Sequence, residues 1–164
     1  MEIYSGKRLT VEKREVILPN GKKKERVVVH PGGAVAILPI EGDHCYLIKQ
    51  YRFAIDDCIL EAPAGTINKG EDPAETAHRE LIEETGMKAE TFVPKGWIYS
   101  SPGYTDERIW LYLAREFSPS SEYEMDDDEI IEVVRVPLRD LGSMIADGRI
   151  VDAKTICLIC RCLR

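Results

Sequence analysis

The sequence lacks any apolar run near the ~20 residues needed to cross a bilayer. Its opening, Met1-Glu2-Ile3-Tyr4-Ser5-Gly6-Lys7-Arg8, is mixed and polar, unlike a secretory leader. A cytoplasmic protein with no membrane contact is therefore expected. Basic charge is also short: 22 Lys and Arg face 29 Asp and Glu, a net charge of −7. A general phosphate-backbone binder needs a basic face that releases counterions, so nucleic acid is not an expected partner. An acidic chain that handles phosphates would need metal ions to bridge the two. Cysteines are few and odd in number: Cys45, Cys58, Cys157, Cys160 and Cys162, with no second paired cluster to complete a zinc site. Cys157 and Cys160 are expected to be buried on the last helix, because a reduced cysteine behaves as a small hydrophobe. Repeats, linkers and low-complexity tracts are missing too, apart from a polar loop expected from Ser118 to Asp128.

What the chain does have is an ordinary globular composition, 44% hydrophobic and 31% charged over 164 residues, which suits one core and one active site. Arg8 to Leu18 reads as a strand, Pro19-Asn20-Gly21 as a turn, and Glu25 to His30 as the returning strand of a hairpin. Ala34 to Ile40 and Cys45 to Tyr51 form a second, more apolar pair joined by Glu41-Gly42-Asp43-His44. A helix from Pro73 to Thr85 is marked at both ends: Asp72 can cap, Pro73 suits the first helical position, Glu75 completes a capping box, and Gly86 follows the last turn. Glu107 to Glu116 and Glu129 to Val136 read as strands, Pro137 to Asp147 and Asp152 to Leu163 as helices.

The first helix carries Glu80, Glu83 and Glu84, and residues three and four apart share a helical face. Ala74, Ala77 and Leu81 form a neighbouring stripe that can pack on a core. Like charges crowded on one face destabilise a helix, and Arg79 can pair with Glu83 at i,i+4 but cannot neutralise all three carboxylates. A further cation is expected. Magnesium prefers hard oxygen ligands and takes one or two carboxylates plus substrate phosphate. A solvated acidic face is the alternative reading of these three residues taken alone.

Their surroundings decide against it. Gly65, Glu71 after five residues, Arg79-Glu80-Leu81 after seven more, then Glu83-Glu84 and Gly86-Met87 reproduce G-x5-E-x7-R-E-U-x-E-E-x-G-U, with U aliphatic. Seven fixed residues at roughly 1-in-15 usage match a given window by chance on the order of once in 10⁸. This stretch resembles the complete box of the Nudix hydrolases. The resemblance implies an α/β fold, an α/β/α sandwich with a mixed sheet, here with an amino-terminal antiparallel hairpin extension (residues 1–30, a dimerisation element) ahead of a Nudix domain (31–164). It also implies two or three magnesium ions, with manganese as a substitute, held by Glu80, Glu83, Glu84 and the backbone carbonyl of Ala64. By the same analogy Glu83 and Arg79 belong to the catalytic set, with Arg79 orienting the carboxylates and Glu71 structural. Gly65 and Gly86 are expected at turns that other residues resist.

Downstream, Ser101-Pro102-Gly103-Tyr104-Thr105-Asp106-Glu107 puts Pro102 sixteen residues past Gly86. That stretch is similar to the ADP-ribose pyrophosphatase branch of the family. Pro31-Gly32-Gly33-Ala34-Val35, Gln50-Tyr51-Arg52, Glu61-Ala62-Pro63-Ala64-Gly65 and Asp152-Ala153-Lys154-Thr155 agree with it. The resemblance implies hydrolysis of ADP-ribose to AMP and ribose 5-phosphate. The alternatives are another nucleoside diphosphate derivative (an ADP-sugar, a GDP-sugar, NADH or FAD) or a catalytically silent nucleotide sensor. It assigns Arg52 to the diphosphate or adenine end, Glu107 to the ribose or metal region and Gly103 to a wall of the site. A surface salt bridge for Arg52, a strand-end carboxylate for Glu107 and an ordinary Pro-Gly turn at Gly103 are the plain alternatives. The general base of relatives lies on a loop before a late strand, which here gives Glu129, with Asp127 as the alternative. Such enzymes are homodimers whose amino-terminal strands reach the neighbouring site, which makes Arg26 and Val28 candidate substrate contacts.

Overall fold

The computed structural model describes residues 1–120 and 130–163. Three strands come first, β1 (Glu2–Ser5), β2 (Thr10–Ile17) and β3 (Lys23–His30), and they form an antiparallel sheet of their own in the order β1-β2-β3. The hairpin between β2 and β3 forms as its turn residues require, with Gly21 at φ 77°. Strand β1 was not legible, since its four exposed residues have no buried face to set an alternation.

The main sheet is built from β4 (Gly33–Glu41), β5 (His44–Arg52), β8 (Met87–Tyr99), β9 (Arg108–Pro119) and β10 (Ile131–Pro137), in the order β10-β5-β4-β9-β8. Strands β4 and β9 run parallel and the other pairs antiparallel, so the sheet is mixed. Strand alternation divides the core in two. Val35 and Ile37 of β4 face helix α1 (Pro73–Thr85) with Ala77, Leu81 and Tyr112. Ala36, Leu38 and Ile40 face α2 (Leu141–Ala146) and α3 (Ala153–Cys162) with Leu141, Met144, Leu158 and Ile159. Helices on both faces of a mixed sheet make an α/β/α sandwich, the expected class.

The segment after β5 opens this sheet where the site will be. Strands β4 and β5 pair with each other only at Ile40↔Cys45 and Glu41↔His44. Beyond that they diverge, and two short strands fill the gap. Strand β6 (Asp57–Glu61) pairs with β5 from Ile48↔Glu61 to Arg52↔Asp57, and β7 (Ala64–Thr66) pairs with β4 from Ala34↔Thr66 to Ala36↔Ala64. Pro63 stands between them, where it needs no N–H in a ladder, and its carbonyl accepts from Ile37 N at 2.8 Å.

Two local expectations need correction, and one strand was not foreseen. Residues 137–147 form a 3-10 turn (Leu138–Asp140) and then the short α2, because Asp140 makes no side-chain cap and Gly142 is a weak helix former. Strand β8 is thirteen residues long yet gave no clean period-two pattern, because its register shifts between Pro94 and Trp97, where Gly96 has φ 81°. Cys160 is exposed and Cys157 only partly buried, since α3 buries the stripe Thr155, Leu158 and Ile159, and positions 157 and 160 lie off it. The buried cysteine is Cys45, whose thiol burial pushes up to about 12.

Candidate functional site

The carboxylate-bearing helix is fixed at both ends. Asp72 accepts from Ala74 N at 2.8 Å, Glu75 returns a bond from Asp72 N at 3.4 Å, and Pro73 occupies the first turn. At the far end Gly86 takes the left-handed conformation at φ 68° and its N–H closes on Ile82 O at 2.8 Å. Ala77 and Leu81 are fully buried against the sheet, and Leu81 alone contributes roughly 1.5–3 kcal/mol of hydrophobic stabilisation. That contact sets the rotation of α1, and so which way the glutamates point.

They point to a cleft of about 1020 Å³, whose wall includes Ala64, Gly65, Arg79, Glu80 and Glu83. Arg79 is the hub. Its Nε and Nη2 form a fork on Glu71 at 3.0 and 3.1 Å, Nη2 also reaches Thr66 O at 3.2 Å, and Nη1 donates to Glu80 at 2.8 Å and Glu83 at 2.7 Å. The guanidinium beside Glu71 holds that carboxyl down to about 2, and the carboxylates in turn raise Arg79. Glu84 lies deeper, 2% exposed, and accepts from Ala64 N at 2.8 Å. It ties the helix to the strand whose carbonyl the resemblance put in the metal shell.

Gly65 has a different reason from the expected one. Its φ is not in the left-handed region. A Cβ there would instead stand 1.9 Å from the Glu80 carboxyl carbon and 2.0 and 2.2 Å from its oxygens. The missing side chain is the space that the Glu80 carboxylate occupies. Gly86 keeps the expected conformational reason.

This donor set fits a hard divalent cation: every donor is an oxygen, and one guanidinium faces three carboxylates. Among the described residues no three Asp, Glu, His or Cys side chains converge into a closed metal cage. An ion that takes one or two carboxylates and fills its other positions from water and phosphate suits such an open arrangement.

Of the other sequence candidates, Arg52 and Glu107 line the same cleft. Arg52 makes a fork on Glu61 at 2.6 and 2.7 Å, so its ion pair is part-buried and not on the open surface. Arg26, Val28 and Gly103 do not line the cleft within one chain. Arg26 is exposed and donates to the Glu25 carbonyl at 2.9 Å. Gly103 is exposed in the loop between β8 and β9, and a Cβ on it would meet nothing. Glu129 and Asp127 lie outside the described residues. The amino-terminal sheet reaches the cleft through Lys7 and Arg8 between β1 and β2, which sequence reasoning did not single out. It also braces the β8–β9 loop: Val29 N donates to Tyr104 O at 2.8 Å, and His30 Nδ1 pairs with Asp106 at 2.6 Å.

Sequence reasoning also assigned no role to Glu61 and Lys154, although both sit in quoted stretches. The available signal was Lys154 itself, since a basic side chain in the first turn of a helix opposes the helix dipole and wants a specific partner.

Comparison with known proteins agrees with this geometry. The family model described as "NUDIX domain" matches residues 30–159. The chain is 40% identical over 156 residues to the ADP-ribose pyrophosphatase of Bacillus subtilis (strain 168), covering 94% of this chain and 84% of that one. It is 38% identical over 160 residues to the methanol dehydrogenase activator of Bacillus methanolicus, covering 94% and 85%. A solved structure, an ADP compounds hydrolase, superposes with a TM-score of 0.87 at 26% identity, covering 98% of this chain and 88% of that one.

Proposed function

The chain belongs to the Nudix family and is a Nudix pyrophosphohydrolase, and on that premise we propose that it hydrolyses ADP-ribose at its diphosphate bond, giving AMP and ribose 5-phosphate. The observation that carries the reaction is the α1 face: Glu80 and Glu83 open onto a cleft large enough for a nucleoside diphosphate, with Glu84 bonded to Ala64 beside them. The choice of ADP-ribose is supported by the relative at 40% identity.

In this reading Glu80, Glu83, Glu84 and the Ala64 carbonyl hold two or three magnesium ions, or manganese in their place. When bound, such ions offset the diphosphate charge and acidify the attacking water. The chain's own groups do the rest. Arg79 keeps Glu80 and Glu83 at fixed positions through its two Nη1 bonds, and its fork on Glu71 anchors it to the loop before α1. Leaving Glu80 against a bare glycine lets its carboxylate sit on the backbone of β7. Arg52 and Glu107 contact the substrate from the β5 and β9 sides of the cleft. Glu129, or Asp127 in its place, removes the proton from water. The enzyme works as a cytoplasmic homodimer in which the amino-terminal sheet carries Arg26 and Val28 to the neighbouring site and Gly103 helps wall it. The exposure of Ile3, Tyr4, Ile17 and Val27 on that sheet supports the dimer. Among the described residues no helix is long and apolar enough to cross a membrane.

The test is a substrate panel. The purified protein with magnesium is given ADP-ribose, ADP-glucose, GDP-mannose, NADH and FAD, and nucleotide products are separated by chromatography. AMP is expected chiefly from ADP-ribose and none after chelation. A strong preference for another compound would move the substrate within the same reaction, and no cleavage of any would favour the silent sensor. Replacing Glu129 and Asp127 separately with the amides identifies the base by which variant slows turnover.

A further inference from the structure

The cleft has a second charged cluster, on the wall made by β5, β6 and the start of α3, to which the reaction above assigns only Arg52. At its centre is Glu61, 1% exposed. A carboxylate that deep is unfavourable unless its oxygens are paired, and both are. Arg52 donates to them through Nε at 2.6 Å and Nη2 at 2.7 Å, and Lys154 Nζ joins on the second oxygen. Burial pushes the Glu61 carboxyl up, but the two cations outweigh it and hold the group below its ordinary value. Lys154 is held from its other side by Asp152 Oδ2 at 3.1 Å. Asp152 caps α3 by accepting from Thr155 N at 2.9 Å, and Thr155 Oγ1 accepts from Ala62 N at 2.7 Å. The cluster therefore fixes the residues that lead into β7.

Arg52 and Lys154 line the cleft, with Asp152 beside them, and Glu61 does not. Arg52 spends one edge of its guanidinium on Glu61, and among the described residues its Nη1 has no protein acceptor. The Lys154 ammonium has three donors, of which Glu61 and Asp152 take two. A brace between β6 and α3 alone would not need two cations on the wall of a substrate cleft, nor a lysine set against the helix dipole. Donors fixed by buried carboxylates are what recognition of phosphate oxygens requires.

We propose that Lys154 is a substrate-binding residue that, beside Arg52, hydrogen-bonds the diphosphate from the α3 wall, and that Glu61 is the positioning residue holding both cations. This rests on the reading of the cleft as a diphosphate site. Calorimetric titration of the chelated protein, in which no turnover occurs, tests it with two probes, ADP-ribose and inorganic pyrophosphate. Lys154→Met is expected to weaken both about tenfold or more, the loss of one charge-assisted hydrogen bond. Lys154→Arg should recover most of that, and Glu61→Gln should weaken both although it touches neither probe. In turnover, the Lys154→Met loss should fall on KM and not on kcat, as for binding shared by ground and transition states. Pyrophosphate binding unchanged in Lys154→Met, with only a lower Tm, would reduce the cluster to a brace and overturn the proposal, as would failure of the wild type to bind either probe. Lys154-dependent binding of pyrophosphate without binding of ADP-ribose would uphold it while removing ADP-ribose as the substrate.

Discussion

The two charged clusters of the cleft are near mirror images. On α1 one cation, Arg79, stands among three carboxylates, Glu71, Glu80 and Glu83. On the opposite layer one buried carboxylate, Glu61, stands between two cations, Arg52 and Lys154, with Asp152 completing a neutral set. The first is left with excess negative charge at the cleft, which a divalent ion can relieve. The second is balanced by protein alone, which permits its deeper burial. The difference separates carboxylates left in excess for a metal ion from cations held in place by a buried partner.

Two amide substitutions should separate them most widely. Glu84→Gln keeps shape and still offers an oxygen to Ala64 N, so Tm should change little, while turnover falls by roughly two to three orders of magnitude through loss of a ligand charge. Glu61→Gln should show the reverse balance of Tm against kcat, its loss of substrate affinity falling on KM. It leaves two cations under-compensated and costs about 2–4 kcal/mol, the low side for a broken buried pair because Arg52 is 39% exposed and screened. That corresponds to a fall in Tm of roughly 4–16 °C by calorimetry for a chain of this size. Equal stability losses in the two variants would erase the distinction.

Gly65→Ala sharpens the comparison from the backbone side. The new Cβ would fall within 2.2 Å of the Glu80 carboxylate, so that flexible side chain must swing away. Stability should drop by only about 1 kcal/mol, while turnover falls about ten- to a hundredfold, since reacting groups displaced by about 1 Å can lose that much. Measuring kcat beside Tm checks it, and an active Gly65→Ala enzyme would detach Glu80 from the reaction.

How far the sequence reached follows the same division. Helix α1 was legible to its ends because a capping box, a proline and a terminal glycine are local signals, and its glutamates because their spacing repeats the helix period. The bend at Pro63 and the insertion of β6 and β7 between β4 and β5 were not, since they depend on pairing with strands already passed. That insertion is what brings Glu61 and Lys154, 93 residues apart, into contact. Arg52 could be named from a short motif, but its partner could not. The cysteines of α3 misled for a related reason: residue type suggested burial, and the helix's own stripe at Thr155, Leu158 and Ile159 decided otherwise.

The smallest effect expected is on acid stability, and it discriminates within the α1 cluster. Glu71 is held at about 2, well below the ordinary 4.5, by the Arg79 fork, with the Asn68 N–H adding to it. A carboxyl lowered on folding contributes stability that is fully present above its unfolded value and is lost as pH falls through the folded one. The window is therefore about pH 4.5 down to about 2. Its side chain is 17% exposed and its partner Arg79 30%, so screening limits the contribution to roughly 1 kcal/mol, or about 2–4 °C in Tm. Glu71→Gln should thus lower Tm at pH 7 by that amount and narrow the difference between pH 7 and pH 3. Because Glu71 bonds Arg79 and not the cleft's outer carboxylates, turnover should fall less than in Glu84→Gln. An unchanged acid slope in Glu71→Gln would mean that Arg79 gains its orientation from Glu80, Glu83 and Thr66 alone.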